Sequence, residues 1–155
     1  MLKPRMLRKT LTEAVPEFRN DPDKLHIFIE RGNIISSLAP SLSHEYQYTL
    51  SIVVTDFGGD VDTIMVPVLS WLRVHQHDGM ANPDLREEAF RFEVEILSNE
   101  SCDIEIALRL TERVIVKEEP AGILLVKHVD EPPTAYDNHG PFAFDDSPAS
   151  TRWEV

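Results

Sequence analysis

From Tyr46 to Phe57 the chain alternates: Tyr46, Tyr48, Leu50, Ile52 and Val54 fall on one side, and Gln47, Thr49, Ser51 and Thr55 on the other. The pattern returns at Cys102, where Cys102, Ile104, Ile106, Leu108 and Leu110 oppose Asp103, Glu105 and Arg109. A period of two sorts side chains to opposite faces of a strand. Both segments therefore predict strands that bury one face and show the other to water, as in an antiparallel sheet covered on one side. The rest of the chain has to supply that cover.

Two segments have the periodicity to do so. Lys3 to Phe18 places Leu7, Leu11, Ala14, Val15 and Phe18 at helical spacing, with Lys3, Arg5, Arg8 and Lys9 on the other face. Pro4 suits a first turn, which needs no backbone donor, and Pro16 followed by Asn20-Asp21-Pro22-Asp23 ends or bends the helix. After Gly58-Gly59-Asp60, the residues Val61, Ile64, Met65, Val68, Leu69 and Leu72 give the strongest helical stripe in the chain. Pro67 lies inside it, so the helix either kinks there or begins its regular part near Met65. Gln76 through Pro83 reads as a loop.

Further strands are predicted at Leu25 to Glu30, at Phe90 to Ile96 as a hairpin with the Cys102 segment, and at Gly122 to Val129, with Val114 to Lys117 as its approach. The order predicts an α+β domain: an antiparallel sheet with its helices packed on one face. The domain is expected over residues 1–129. From Asp130 to Val155 the character changes, with Pro132, Pro133, Pro141 and Pro148, no periodicity, and six acids against the single base Arg152. This stretch is expected to be an extended C-terminal arm.

Charge narrows the function. Asp plus Glu number 27 against 15 Lys plus Arg, a net −12, whereas affinity for phosphate backbones or anionic lipid comes from a cationic surplus. Neither direct nucleic-acid readout nor a membrane is expected as a partner. The lone Cys102 excludes an internal disulfide and a Cys-rich zinc site. No apolar run approaches a membrane span and no apolar signal core opens the chain, so a soluble protein made in a reducing compartment is expected.

A search for catalytic chemistry finds little. His75-Gln76-His77-Asp78 offers metal-ligand types, but residues two apart on a helix face different ways, so a polar helix end is the better reading. Cys102 sits in the apolar phase of its strand, as a small buried hydrophobe would. His26 and His128 fall within strands and suit hydrogen-bonded structural roles. There is no Gly-x-Ser-x-Gly elbow and no glycine-rich phosphate cradle. No catalytic residue, cofactor or metal is expected, and the enzyme alternative reduces to a small metal-dependent hydrolase using His75, His77 and Asp78.

Several segments resemble the tail completion protein R (GpR) family of contractile-tailed temperate phages. They are Met1-Leu2-Lys3-Pro4-x-x-Leu7-Arg8, Leu38-Ala39-x-Ser41-Leu42-Ser43, Val54-Thr55-Asp56-Phe57-x-Gly59-Asp60, Val66-Pro67-Val68-Leu69-x-Trp71-Leu72-Arg73, Leu110-Thr111-Glu112-Arg113 and Glu131-Pro132-Pro133. The resemblance runs from Met1 to about Pro133. It implies a virion structural protein that completes the head-proximal end of a tail, assembled in the host cytoplasm and located in the tail neck. By looser analogy it implies a tail-terminator-like fold and a ring, often a hexamer, whose partners are its own copies, tube and sheath proteins, and head–tail connector proteins. A head-completion or connector subunit is the alternative from the same setting. Asp56, Phe57, Asp60, Pro67 and Trp71 are expected to fix a strand-to-helix corner.

For such a protein the candidate site is an interface. Pairing Phe92 with Leu108 and Val94 with Ile106 sets Glu95 opposite Glu105, whereas a shift of two residues sets Glu93 against Arg109. In the first register Glu95, Asp103 and Glu105 form an acidic patch, expected to meet a basic neighbour such as Lys3, Arg5 or Arg8 of the next subunit. The arm carries Tyr136, Phe142, Phe144 and Trp153, four of the chain's 12 aromatics. Phe142, Phe144 and Trp153 are the expected anchors on a neighbour or on the arm's own domain.

Overall fold

The structure is a computed structural model that describes residues 1–133. Helix α1 (Lys3–Ala14) leaves helical geometry at Val15, and Pro16 opens the short α2 (Pro16–Asn20). After a 3₁₀ turn, β1 (Leu25–Ile35) and β2 (His44–Phe57) pair antiparallel. Helix α3 (Asp62–His75) follows, then the short α4 (Asp78–Ala81) and α5 (Pro83–Ala89), β3 (Phe90–Ile96), β4 (Cys102–Glu119) and β5 (Ile123–Val129). The α+β arrangement expected from the sequence is what forms.

Strand β4 organises the sheet. It pairs with β2 from Cys102 to Val114 on one edge. Its other edge is shared, by β3 from Cys102 to Leu108 and by β5 from Arg113 to Glu119, so the sheet order is β1-β2-β4-β3 with β5 beside the far end of β4. The in-phase residues Leu50, Ile52, Ile104, Ile106 and Leu108 are at most 1% exposed, and Leu7, Leu11, Phe18, Ile64, Val68 and Leu72 close over them. The helical cover and the apolar strand face thus form one core, the association that removes most apolar surface from water.

The corner between β2 and α3 explains the Asp56 to Asp60 segment residue by residue. Strand β2 carries one extra residue relative to β4 between Val54 and Phe57. That bulge swings Phe57, otherwise out of phase, into the core at 1% exposure. Asp56 supplies the bend at φ 50°, a left-handed value that Asp tolerates better than most residues. The bend is held by the backbone: Asp56 N donates to Asp103 Oδ1 at 2.8 Å and Lys24 Nζ donates to the Asp56 carbonyl at 2.7 Å. A Cβ on Gly59 would stand 2.8 Å from the Phe57 ring, so only glycine fits beneath it. Asp60 Oδ1 then accepts from Asp62 N at 2.9 Å as α3 begins.

Four expectations change in detail. Helix α3 runs from Asp62 through Pro67, and its inward face holds Trp71 at 4% exposure while Leu69 is 40% exposed. The stretch read as a loop contains α4 and leads into α5, whose start combines an Asn82 cap on Asp84 N with Pro83 in the first turn. Val114 to Lys117 is the continuation of β4 rather than an approach to β5. The hairpin takes neither register expected: Phe92 pairs with Ile106 and Val94 with Ile104, so Glu93 faces Glu105 and Glu95 faces Asp103. The turn sets this, because Leu97 N and Ser98 N both donate to the Ser101 carbonyl and bring Ile96 against Cys102.

Since both bonds at Asp56 use its backbone, Asp56→Gly keeps them and relieves the positive φ. It is expected to leave the denaturation midpoint unchanged or slightly raised. Asp56→Val keeps the same bonds but places a β-branched residue in left-handed geometry, and is expected to cost about 1–2 kcal/mol in urea unfolding.

Candidate assembly surfaces

Extending the β4 alternation past Leu110 puts a carboxylate in the apolar row: Glu112, 4% exposed, between Leu110 and Val114. Four groups converge on it. Leu2 N donates to Oε2 at 2.9 Å, Lys3 N to Oε1 at 3.1 Å, and the Tyr48 hydroxyl to Oε1 at 2.5 Å. His128 Nδ1 lies 3.0 Å from Oε2, an ion pair when the imidazole is protonated. Helix α1 has no side-chain cap of its own, so a carboxylate from the sheet accepts from its first amides, where the helix dipole favours negative charge. Burial alone raises the pKa of Glu112, but the bonds from Leu2, Tyr48 and Lys3 outweigh it and hold the carboxyl below the usual range. Burial, then donation to Glu112, pushes the Tyr48 hydroxyl well up.

Beside it stands Gln76, 4% exposed, just past the end of α3. Between the stretches paired with β3 and β5, the edge of β4 has no strand partner among the described residues, and Gln76 fills the place. Its Oε1 accepts from Thr111 N at 2.9 Å and its Nε2 donates to Thr111 Oγ1 at 3.0 Å and to Asp78 Oδ1 at 2.8 Å. Lys3 Nζ donates to the same Gln76 Oε1 at 2.7 Å and to Glu131 Oε1 at 3.0 Å. The contacts of the body thus continue past the expected boundary at residue 129, to Glu131.

These bonds redefine the sequence candidates. Lys3, expected to reach a neighbour, is 6% exposed and committed to its own chain. Arg5 is exposed, and Arg8 donates to the Leu25 carbonyl at 3.2 Å. Glu95 and Glu105 are exposed on one face of the hairpin with Asp103 next to them, although the Asp103 carboxylate accepts from Asp56 N. Phe142, Phe144 and Trp153 lie outside the described residues. His75, His77 and Asp78 do not assemble a metal centre: the His75 ring packs on Trp71 with centroids 4.7 Å apart, and Asp78 accepts from Gln76. Among the described residues no group of three or more His, Cys, Asp or Glu is placed to hold a metal ion. Burial raises the Cys102 thiol pKa, consistent with a packing role.

Sequence reading missed two apolar surfaces. Phe92 and Ile96 are 61% and 79% exposed although their partners Ile106 and Cys102 are buried, so the core-side row of the sheet runs out from under the helices at β3. At the other end, Ile123, Leu124, Leu125 and Val126 are all exposed. Consecutive strand residues point to opposite faces, so β5 is uncovered on both. The signal was present in the sequence: an unbroken apolar run is how a strand buried on both faces reads.

Among the described residues no helix is long and apolar enough to cross a membrane. The family model described as P2 phage tail completion protein R (GpR) matches residues 1–132. The chain belongs to that family. It is 49% identical over 133 residues to the tail completion protein R of Escherichia phage P2, an alignment spanning 86% of this chain and 85% of that protein. No solved structure matches it. The chain is therefore a structural component of a phage tail with a role in tail completion, and the hydrolase alternative falls with that assignment. For a GpR-family protein, the exposed edges just described are the natural candidates for contact with other tail components.

Glu112→Gln keeps the shape of the side chain but removes the charge that binds the start of α1, and is expected to cost about 2–3 kcal/mol at pH 7. Because the folded pKa is held below the ordinary 4.5, the stabilisation by Glu112 is complete above about pH 4.5 and lost as pH falls through the folded value. Urea midpoints between pH 7 and pH 3 are expected to fall less steeply in Glu112→Gln than in the parent. Parallel curves would contradict this.

Proposed function

We propose that this protein completes the head-proximal end of the tail as a ring of identical subunits, joining tail to head in the neck. The observation that carries the reading is the exposure of the sheet edges: β1, β3 and β5 each present backbone and apolar side chains that a monomer would normally protect. Membership in a tail completion family supports it. The mechanism is geometric. A closed ring uses one heterologous contact repeated by rotation, which leaves one ring face for the end of the tube and the other for the connector. No substrate pocket is needed, and a groove of about 750 Å³ on the polar face of the sheet is lined by mixed charges such as Glu30, Arg31, Glu88 and Arg109, the last two paired with each other.

Within this reading, residues 1–129 with the anchoring Glu131 form the ring body, and Glu95, Asp103 and Glu105 contribute an acidic surface for a neighbour. Residues 130–155 act as an arm that binds another subunit or neck protein through Phe142, Phe144 and Trp153, since aromatics in partner pockets carry much of the binding energy of interfaces.

Gold-labelled antibody against the chain is expected to mark only the head-proximal end of purified tails. Label along the shaft or at the opposite end would contradict the placement. A chain ending at Pro133 retains the Lys3–Glu131 pair and is expected to keep its melting temperature while failing to complete tails. A lowered melting temperature would assign the arm to its own core.

A further inference from the structure

We infer that the flap formed by β5 and the last residues of β4 is the surface that seats on β3 of the next copy of this chain, the repeating contact of the ring proposed above and dependent on that reading. The two apolar surfaces lie at opposite ends of the same edge of β4. From Ile104, opposite Val94, to Val116, opposite Val126, is 12 residues, roughly 40 Å of extended strand. A two-fold dimer through either surface would cover that one twice and leave the other in water. A head-to-tail contact covers both with a single kind of interface.

Charge selects the same pairing. The chain is strongly acidic at net −12, yet the flap face that carries Ile115 and Leu125 also carries Arg113, Lys117 and Lys127, against Glu119 at its tip. On the non-core face of the hairpin, behind the row of Phe92 and Ile96, Glu93 stands opposite Glu105 and Glu95 opposite Asp103, with Arg91 beyond. The contact is therefore edge to edge: Leu124 and Val126 of β5 continue the core-side row while Lys127 and Lys117 meet the acids on the other face. Like charges directly across a ladder are unfavourable, and two such pairs in one hairpin are relieved by lysines arriving from outside. Arg8 is bonded to the Leu25 carbonyl of its own chain and Arg5 is a single exposed cation, whereas the flap brings three cations beside the exposed Ile115 and Leu125. Its position is fixed from behind: Ser43 Oγ accepts from Val116 N at 2.9 Å and Ser41 Oγ donates to the Val116 carbonyl at 2.9 Å, so the β1–β2 loop clips the base of the flap just before β2 begins at His44.

The test is complementation of a phage lacking its own copy by plasmid-borne full-length chain. Lys117→Glu with Lys127→Glu, and separately Glu93→Lys with Glu95→Lys, are each expected to cut the yield of complete tails by about tenfold or more, since like charges brought together across an interface are strongly unfavourable. All four positions are exposed, so melting temperatures should stay at the parental value. The four substitutions in one chain are expected to restore the yield, and so is co-expression of the two defective chains, because alternating copies then oppose unlike charges at every contact. Harmless reversals, or defective chains that neither combination rescues, would overturn the flap–β3 contact. Quantitative mass spectrometry of purified tails separates this from the ring itself: one copy per tail sinks the ring, whereas several copies with harmless reversals leave the ring and remove only this contact.

Discussion

Glu112 puts a carboxylate where the periodicity of its strand asks for an apolar side chain, and the architecture around it follows from satisfying that charge. Its oxygens take the first amides of α1, the Tyr48 hydroxyl of β2 and the imidazole of β5. Lys3, one residue into α1, turns the other way to Gln76 and Glu131. A helix, three strands, the end of α3 and the exit of the chain thus meet through one buried polar cluster. An unpaired buried charge costs several kcal/mol, so such a cluster tolerates few arrangements. The apolar faces bring α1 and α3 onto the sheet, while the cluster sets where along the sheet α1 begins and where β5 ends.

That division explains what was legible in the sequence. The in-phase rows at Leu50 and Ile106 and the stripe from Ile64 to Leu72 needed only local periodicity, and they define the fold class. Glu112 was visible in principle, since continuing the row from Leu110 to Val114 lands on it, but an acid ends an apolar pattern unless its partners are known. Those partners lie about a hundred positions away in the chain, at Leu2 and Lys3. Gln76 standing in for a missing strand is likewise a tertiary fact. The hairpin register depended on the hydrogen bonds of the Ser98–Ser101 turn, which alternation alone does not encode, since a two-residue slip preserves every face. Helix α5 had a local signal, Asn82-Pro83-Asp84, hidden within a stretch that composition assigns to loop.

The candidate site divides the same way. The acidic residues Glu95, Asp103 and Glu105 do share a face, because any even register places them there. The base proposed to match them could not be read locally. Lys3 looks like a surface lysine until Gln76 and Glu131 are brought to it. The flap residues Lys117 and Lys127 gain meaning only once β5 folds back and sets Lys127 opposite Ile115.

A protein that ends a polymer works by presenting surfaces at fixed angles, and in the proposed ring the long strand β4 would carry one such surface at each end. Cryo-microscopy of the junction in intact particles shows directly whether copies of this chain close a ring at the head-proximal end of the tail through those surfaces. A closed ring is expected in which the β4–β5 flap of each copy rests on β3 of the next. A single copy at the junction, or a ring in which Phe92, Ile96 and Leu125 all face solvent, would contradict it.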